Sequence, residues 1–201
     1  MVMNIIKTPI NDILAISRID PLLNNPNDRV SFFLSKYTDT PGSNGKRIVI
    51  ELPKENLTPI TFERIIKELS RDEELSILSL IKINDVVHHL PMIDFLAKKR
   101  STSSVDALRK TSAYWNIVFN VFNSGRSIHA YGTKILTQNQ WVNFMGYLLL
   151  LNEKSKEKVI DVRWVGHRLM AGYSSLRITN NTGKFKSIPS YIGSSTGDIL
   201  I

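Results

Sequence analysis

Hydrophobic and polar positions alternate in short blocks along most of this chain, and the blocks change period several times. "VSFFLSKY" and "RIVIEL" are strand-like and flank the turn-dense "TDTPGSNGK", so residues 30–52 read as a hairpin-like pair. Before them, "INDILAIS" reads as a short helix followed by a Pro/Asn-rich turn. Phe62, Ile65, Ile66 and Leu69 repeat at helical spacing, with Thr61 as the expected N-cap. "LSILSLIKI" (75–83) and "VVHHLPMIDFLA" (86–97) read as two strands around a turn at Asn84 and Asp85. The basic stretch "KKRSTSSVDALRKTSAY" reads as a helix from near Ser104 or as a loop. "WNIVFNVF" (115–122) and "IHAYGTKIL" (128–136) form the next strand pair. "TQNQWVNFMGYLLLLNE" is a helix capped by Thr137, and the segment from "VIDV" opens on a strand and runs into a short helix. The Gly-, Ser- and Pro-bearing C-terminal tail is expected to be irregular. Neighbouring strands interspersed with helices indicate an α+β fold, not a doubly wound parallel sheet.

The length of 201 residues fits a single domain. We divide it into an N-terminal α/β part (1–70), a catalytic-type core (71–190) and a tail (191–201). Apolar residues make up 42% and charged residues 22%, a globular rather than a disordered composition. The longest apolar run, "YLLLL", is too short to span a bilayer, and no secretory signal pattern is present at the N-terminus. No membrane association and a cytoplasmic location are therefore expected. There are no cysteines, so disulfides and thiolate metal sites are excluded. The net charge of +8 favours anionic partners such as nucleic acid or nucleotides.

Three stretches carry candidate chemistry. "HHLPMIDF" places Asp94 after an apolar strand, where a metal or substrate could meet it; the alternative is a solvated edge aspartate. "SGRSIHAYG" combines Gly125, which permits a tight turn, with Arg126, Ser127 and His129. Arg126 offers a planar fork for phosphate oxygens. Ser127 and His129 are two apart on a strand and share one face. That spacing is not the usual arrangement of a nucleophile and its base, and a histidine satisfied by a backbone carbonyl is the alternative. "VIDVRWVGHRLMAGYSSLRITNNTGKF" adds Asp161, His167, Arg168, Arg177 and Lys184, with Trp164 and Tyr173; a helix with a solvated basic face is the alternative. Two facing carboxylates can bind Mg²⁺ or Mn²⁺, which prefer hard oxygen ligands. His88 and His89 are adjacent, not at ligand spacing, and on a strand they point to opposite faces. No phosphate loop of the GxxxxGK type and no GxGxxG occurs.

The order of these stretches resembles the archaeo-eukaryotic primase superfamily, and primase 1D-like proteins in particular. "PMIDFL" is similar to its acidic first motif, "SGRSIHAYG" to its S-x-H motif, and "VIDVRWVGH" to its apolar-Asp motif. "SSLRITNNTGKFKSIP" resembles the segment in which such primases place S-L-H or S-L-R before a T-G turn. The likeness covers roughly residues 75–190. It implies a primase-like core with an RRM-like catalytic unit, built on a mixed β-sheet of about six strands with flanking helices. It further implies primase-polymerase activity: metal-dependent nucleotidyl transfer that makes or extends a nucleic-acid chain. Asp94 and Asp161 would hold Mg²⁺ or Mn²⁺. Ser127 and His129 would meet the nucleotide's phosphates, with Arg126 nearby, and Arg168 and Arg177 would complete the grip or meet the template. Implied partners are nucleotides, a single-stranded DNA or RNA template, and a protein such as a helicase to supply unwinding. The first motif of the superfamily usually carries a second acid, and here that position is Leu96. Asp85 and Asp106 are candidate replacements. A degenerate relative that binds nucleotide or nucleic acid inside a larger assembly is the alternative reading. A plain basic nucleic-acid-binding module is a third.

Overall fold

The computed structural model describes residues 9–11, 21–38, 47–96, 101–125, 127–153 and 157–199. The structure is α+β. Its strands are β1 (Val30–Thr38), β2 (Arg47–Pro53), β3 (Glu73–Ile83), β4 (Val86–His89), β5 (Met92–Asp94), β6 (Phe119–Asn123), β7 (Ile128–Gly132), β8 (Leu136–Thr137), β9 (Ser175–Arg177) and β10 (Ser190–Ser194). Its helices are α1 (Pro59–Lys67), α2 (Thr102–Trp115), α3 (Gln138–Leu150) and α4 (Val162–Ala171). The helix expected in "INDILAIS" falls largely outside the described residues.

The strands form two sheets, and this corrects the expected single mixed sheet. A six-stranded sheet has the order β2-β1-β3-β4-β8, with β9 pairing on β3. A four-stranded sheet has the order β10-β6-β7-β5. Among the described residues every pairing is antiparallel. Parallel neighbours need long crossover connections, whereas β3–β4 turns at once through Asn84 and Asp85, both at positive φ.

The long strand expected over 86–97 is broken in two. Pro91 has no N–H to donate to a ladder, so the chain leaves the first sheet after His89 and re-enters the second at Met92. Helix α1 begins earlier than Thr61. Thr58 is its N-cap, accepting from the Thr61 backbone N–H at 3.2 Å, and Pro59 fits the first turn. Helix α2 runs through Trp115, where a strand was expected, and stops at Asn116 in the left-handed region (φ 50°). Thr137 caps α3 as expected, in a reciprocal capping box with Gln140. The tail is not irregular throughout: β10 pairs with β6. Gly193 makes this possible, since a Cβ there would lie 2.2 Å from the Asp198 carbonyl oxygen.

Two apolar cores result. One gathers Phe32, Leu34, Leu75, Ile77 and Ile81 of the first sheet with Phe62 and Ile65 of α1. The other gathers Ile93, Val121 and Ala130 of the second sheet with Trp141, Phe144 and Leu148 of α3. Met92 and Tyr131 of the second sheet belong to the first core. Both faces of that sheet are therefore buried, one in each core. Side chains alternate along a strand. Asp94 and His129 thus continue the face of Met92 and Tyr131, where the apolar filling gives way to polar groups. Among the described residues no helix is long and apolar enough to cross a membrane.

Candidate active site

A cleft of about 310 Å³ opens at that polar end. It is lined by Asp94 and His129 from the second sheet, by Ser124 and Ser127 between β6 and β7, by Tyr37, Arg47, Ser175 and Arg177 from the first sheet, and by Trp164 and Phe185. Asp94 is the last residue of β5 and pairs directly with His129 of β7. The Ser127 hydroxyl donates to Asp94 Oδ1 at 3.4 Å, and His129 Nε2 stands 3.8 Å from the same oxygen, too far for a hydrogen bond. Burial and then the Asp161 charge push the Asp94 carboxyl up to about 7, against the opposing pull of Ser127, Arg177 and Arg168. Burial and the nearby Arg177 charge hold the His129 imidazole down at about 3, so it is neutral. Its Nδ1 is buried with no hydrogen-bond partner.

Asp161 lies next to Asp94 because a bridge joins Phe95 to Ile160, and the Asp161 N–H donates to the Asp94 carbonyl at 3.4 Å. The expected strand at "VIDV" is only this bridge. Asp161 is the N-cap of α4: its Oδ1 accepts from the backbone N–H groups of Arg163 (2.9 Å) and Trp164 (3.0 Å). Helix α4 then buries Arg168, which is 7% exposed and whose Nε and Nη1 find no hydrogen-bond partner. Burial, then the Arg47 charge, pull Arg168 below the ordinary arginine value; Tyr173, Tyr37 and Asp94 act in the opposite sense.

Arg177 is placed differently. Its Nη1 donates to the Thr179 carbonyl and its Nη2 to the carbonyls of Ser124 (2.7 Å) and Ser187 (3.3 Å). Its guanidinium lies 3.8 Å from the Phe185 ring centroid. It clips the 179–187 segment against the turn at Ser124. Gly125 sits in that turn at φ 97°, and a Cβ there would press on Lys186 and Ser187 at 3.1 Å. The segment is also anchored by Glu74. This buried carboxylate accepts from the Thr179 and Thr182 hydroxyls and from the backbone N–H groups of Asn181 and Thr182. Burial pushes Glu74 up, but these hydrogen bonds together hold it below its ordinary value.

Asp94, Ser127, His129, Asp161, Arg168 and Arg177 thus come together, while Arg126 lies outside the described residues. Asp85 does not join them. It pairs with Arg29 (2.9 Å) and Lys82 (3.6 Å) at the β3–β4 turn. Asp106 lines a separate groove with Lys110 and Tyr147. Leu96 is 47% exposed and contributes no donor. Asp94 and Asp161 supply hard oxygens close enough to feel each other's charge, the donor type that Mg²⁺ and Mn²⁺ prefer. Among the described residues no group of three His, Cys, Asp or Glu side chains could hold a metal ion, so the two-ion arrangement is not matched.

Sequence reasoning passed over Tyr37, Arg47 and Phe185. Arg47 donates from Nη1 to the Ser35 and Ser175 hydroxyls, each at 3.1 Å, and stacks 4.5 Å from the Tyr37 ring centroid. Those serines meet only when β1, β3 and β9 pair, and no local signal announces it.

A family model for archaeo-eukaryotic primase 1D-like proteins matches residues 53–190. That is more than half of the chain, and the chain belongs to this family. No curated protein and no solved structure matches it significantly.

Proposed function

We propose that this member of the archaeo-eukaryotic primase 1D-like family is a primase-polymerase-like nucleotidyltransferase that makes or extends a nucleic-acid chain from nucleotides. The observation that carries the reading is the convergence of Ser127, His129, Arg168 and Arg177 on the Asp94 carboxylate. Phosphoryl transfer of this kind depends on positioning and charge stabilisation more than on covalent chemistry. Asp94 and Asp161 would hold a divalent ion, Mg²⁺ or Mn²⁺, which would supply positive charge to the phosphoryl oxygens. Ser127 donates a hydroxyl hydrogen. His129 is neutral and its buried Nδ1 has no partner; in the Nδ1–H tautomer it would donate to a phosphate oxygen that reached it. Arg168 brings charge from behind the cleft wall, and Arg177 holds the wall formed by residues 179–187. A single-stranded DNA or RNA template would share the cleft, and a partner such as a helicase would supply unwinding.

The test is incorporation of labelled deoxy- and ribonucleotides on single-stranded DNA with Mn²⁺ or Mg²⁺, beside an Asp94→Asn/Asp161→Asn double variant. Product from the wild type and none from the double variant is the expected result. No product from folded wild type under either metal and with either sugar overturns the polymerase reading, and leaves nucleotide or nucleic-acid binding without turnover.

A further inference from the structure

Strand β2 ends the six-stranded sheet. Its seven residues pair with β1 along one edge without a bulge. Among the described residues no backbone group hydrogen-bonds to the other edge. The other sheet edges among these residues are blunted. β8 has two residues and runs straight into α3. β5 and β9 have three residues each and are largely buried. β10 is bulged where it pairs with β6 and is bridged to Ile199 at Gly193. Native proteins shorten, bend or cover a free edge, because its unpaired N–H and C=O groups invite another strand. β2 has none of these devices. Ile48, Val49 and Ile50 give it three consecutive β-branched residues, with no Lys and no Pro before Pro53. Ile48 and Val49 are 49% and 48% exposed, one on each face of the strand.

We infer that β2 is a self-pairing edge: two copies of this chain join β2 to β2, antiparallel, about a two-fold axis at Val49. The strand's own residues select this occupant. Arg47, Val49 and Glu51 lie on one face, and Ile48, Ile50 and Leu52 on the other. In an antiparallel pair centred on Val49, Arg47 stands opposite the partner's Glu51 and Ile48 opposite the partner's Ile50, each twice. Opposite charges and β-branched side chains facing each other across a ladder are stabilising pairs. Arg47 has no ion pair among the described residues, and Glu51 has only Lys82 at 3.7 Å. Moving the axis to Ile48 or Ile50 keeps the faces aligned but sets Val49 against a charged residue and separates the two charges. The axis stands perpendicular to the sheet. Both clefts therefore open on one side of a continuous sheet, each with the partner's Glu51 opposite a cleft-lining residue, Arg47. The inference does not depend on the reaction proposed above.

The chain has no cysteine, so a single introduced thiol reports the register. The full chain is measured by light scattering at about 100 μM, a concentration suited to a small interface, beside Glu51→Lys and Val49→Lys variants. Circular dichroism checks folding. Val49→Cys and Ile48→Cys are oxidised in parallel and resolved on non-reducing gels. The wild type should be a dimer. Val49→Cys should cross-link, because residue 49 meets its own copy about 5 Å away across the axis, within disulfide reach. Ile48→Cys is equally exposed and should not cross-link, since the two copies of residue 48 lie about 8 Å apart. Glu51→Lys sets like charges opposite each other twice and should weaken the dimer about tenfold or more. A monomeric wild type overturns the inference, and so does cross-linking of Ile48→Cys as fast as that of Val49→Cys. A dimer unchanged in both lysine variants also overturns it, because another surface then holds the copies. If Val49→Lys does not fold, Glu51→Lys and the two cysteine variants decide by the same outcomes.

Discussion

His89 and His129 are both buried strand histidines with depressed basicity, and they sit in opposite kinds of surroundings. His89 is held at about 4 and His129 at about 3, burial being the main cause in each. Yet both nitrogens of His89 are partnered. Nδ1 meets the Ser79 hydroxyl at 3.0 Å and Nε2 meets Gln138 Oε1 at 2.5 Å. The ring stacks on Trp141 at 4.5 Å, and the Trp141 N–H donates to Ser174. His129 has an orphaned Nδ1 and only a distant carboxylate at Nε2. The carboxylates repeat the contrast. Glu74 accepts four hydrogen bonds and is held low, whereas Asp94 receives one long one and is pushed up to about 7. A shifted pKa therefore does not separate structure from function in this protein. Unspent hydrogen-bonding capacity on ionisable groups does so better, because a folded chain leaves such groups unpaired mainly where something else is to complete them. The unpaired Trp115 Nε1, an uncharged group packed against Phe144 away from the cleft, falls outside that rule.

The largest test of the comparison is His89→Ala. It removes a fully buried ring and leaves Ser79 and Gln138 without their partner. Thermal or urea unfolding should show a loss of about 3 kcal/mol. Nucleotide binding by the folded fraction should stay as in wild type. A stable variant with impaired binding would place His89 with the functional group and break the contrast.

Next in size is Asp94→Asn, which should stabilise the protein while abolishing incorporation. The folded carboxyl keeps its proton up to about pH 7, whereas the unfolded chain releases it near the ordinary value of about 4. Between those limits the folded state binds more protons, so stability contributed by Asp94 is full at low pH and is lost as pH rises through 7. Asparagine does not titrate. The difference between variant and wild type should thus grow from near zero at pH 4 to about 2 kcal/mol at pH 8. That is about half of what a shift from about 4 to about 7 gives at ~1.4 kcal/mol per unit, because water in the cleft reaches a side chain that is 24% exposed. Urea unfolding across that range measures it. A flat difference would mean a well-solvated carboxylate and remove Asp94 from the unsatisfied class.

Much of this site is legible in the sequence, and the reason is topological. Asp94 and His129 lie on β5 and β7, which pair directly, so the order of motifs along the chain translates into contact. Ser127 follows because it shares the His129 face. Asp161 was read as a carboxylate beside Asp94 but not as the cap of α4. That role was also open to reading, since Asp is a favoured N-cap residue. The break at Pro91 was written in the chain as well, as a residue that cannot donate to a ladder. Strand β10 and Arg47 were not legible. β10 depends on β6 for its register, and Arg47 meets Ser175 only through strands far apart in sequence. Pairings over such distances follow from the assembled sheet and leave no periodic mark on either segment.

The smallest stability effect is expected at His129→Ala, and its smallness is the informative part. Deleting this ring loses packing but also removes a buried nitrogen that has no partner, and the two effects oppose each other. Unfolding at pH 7 should change by about 1 kcal/mol or less. Nucleotide affinity should fall about tenfold, the cost of one hydrogen bond to a charged phosphate. The pH dependence runs opposite to that of Asp94. Folded His129 stays neutral down to about pH 3, whereas the unfolded chain takes up a proton near the ordinary value of about 6.5. Its contribution is therefore present above that value and is lost as pH falls toward 3. In the wild type the two slopes oppose each other between about pH 4 and 6.5, and each single variant exposes the other. If His129→Ala unfolded the protein as severely as His89→Ala and spared binding, the two histidines would be alike, and the cleft would be a structural network that happens to lack a partner.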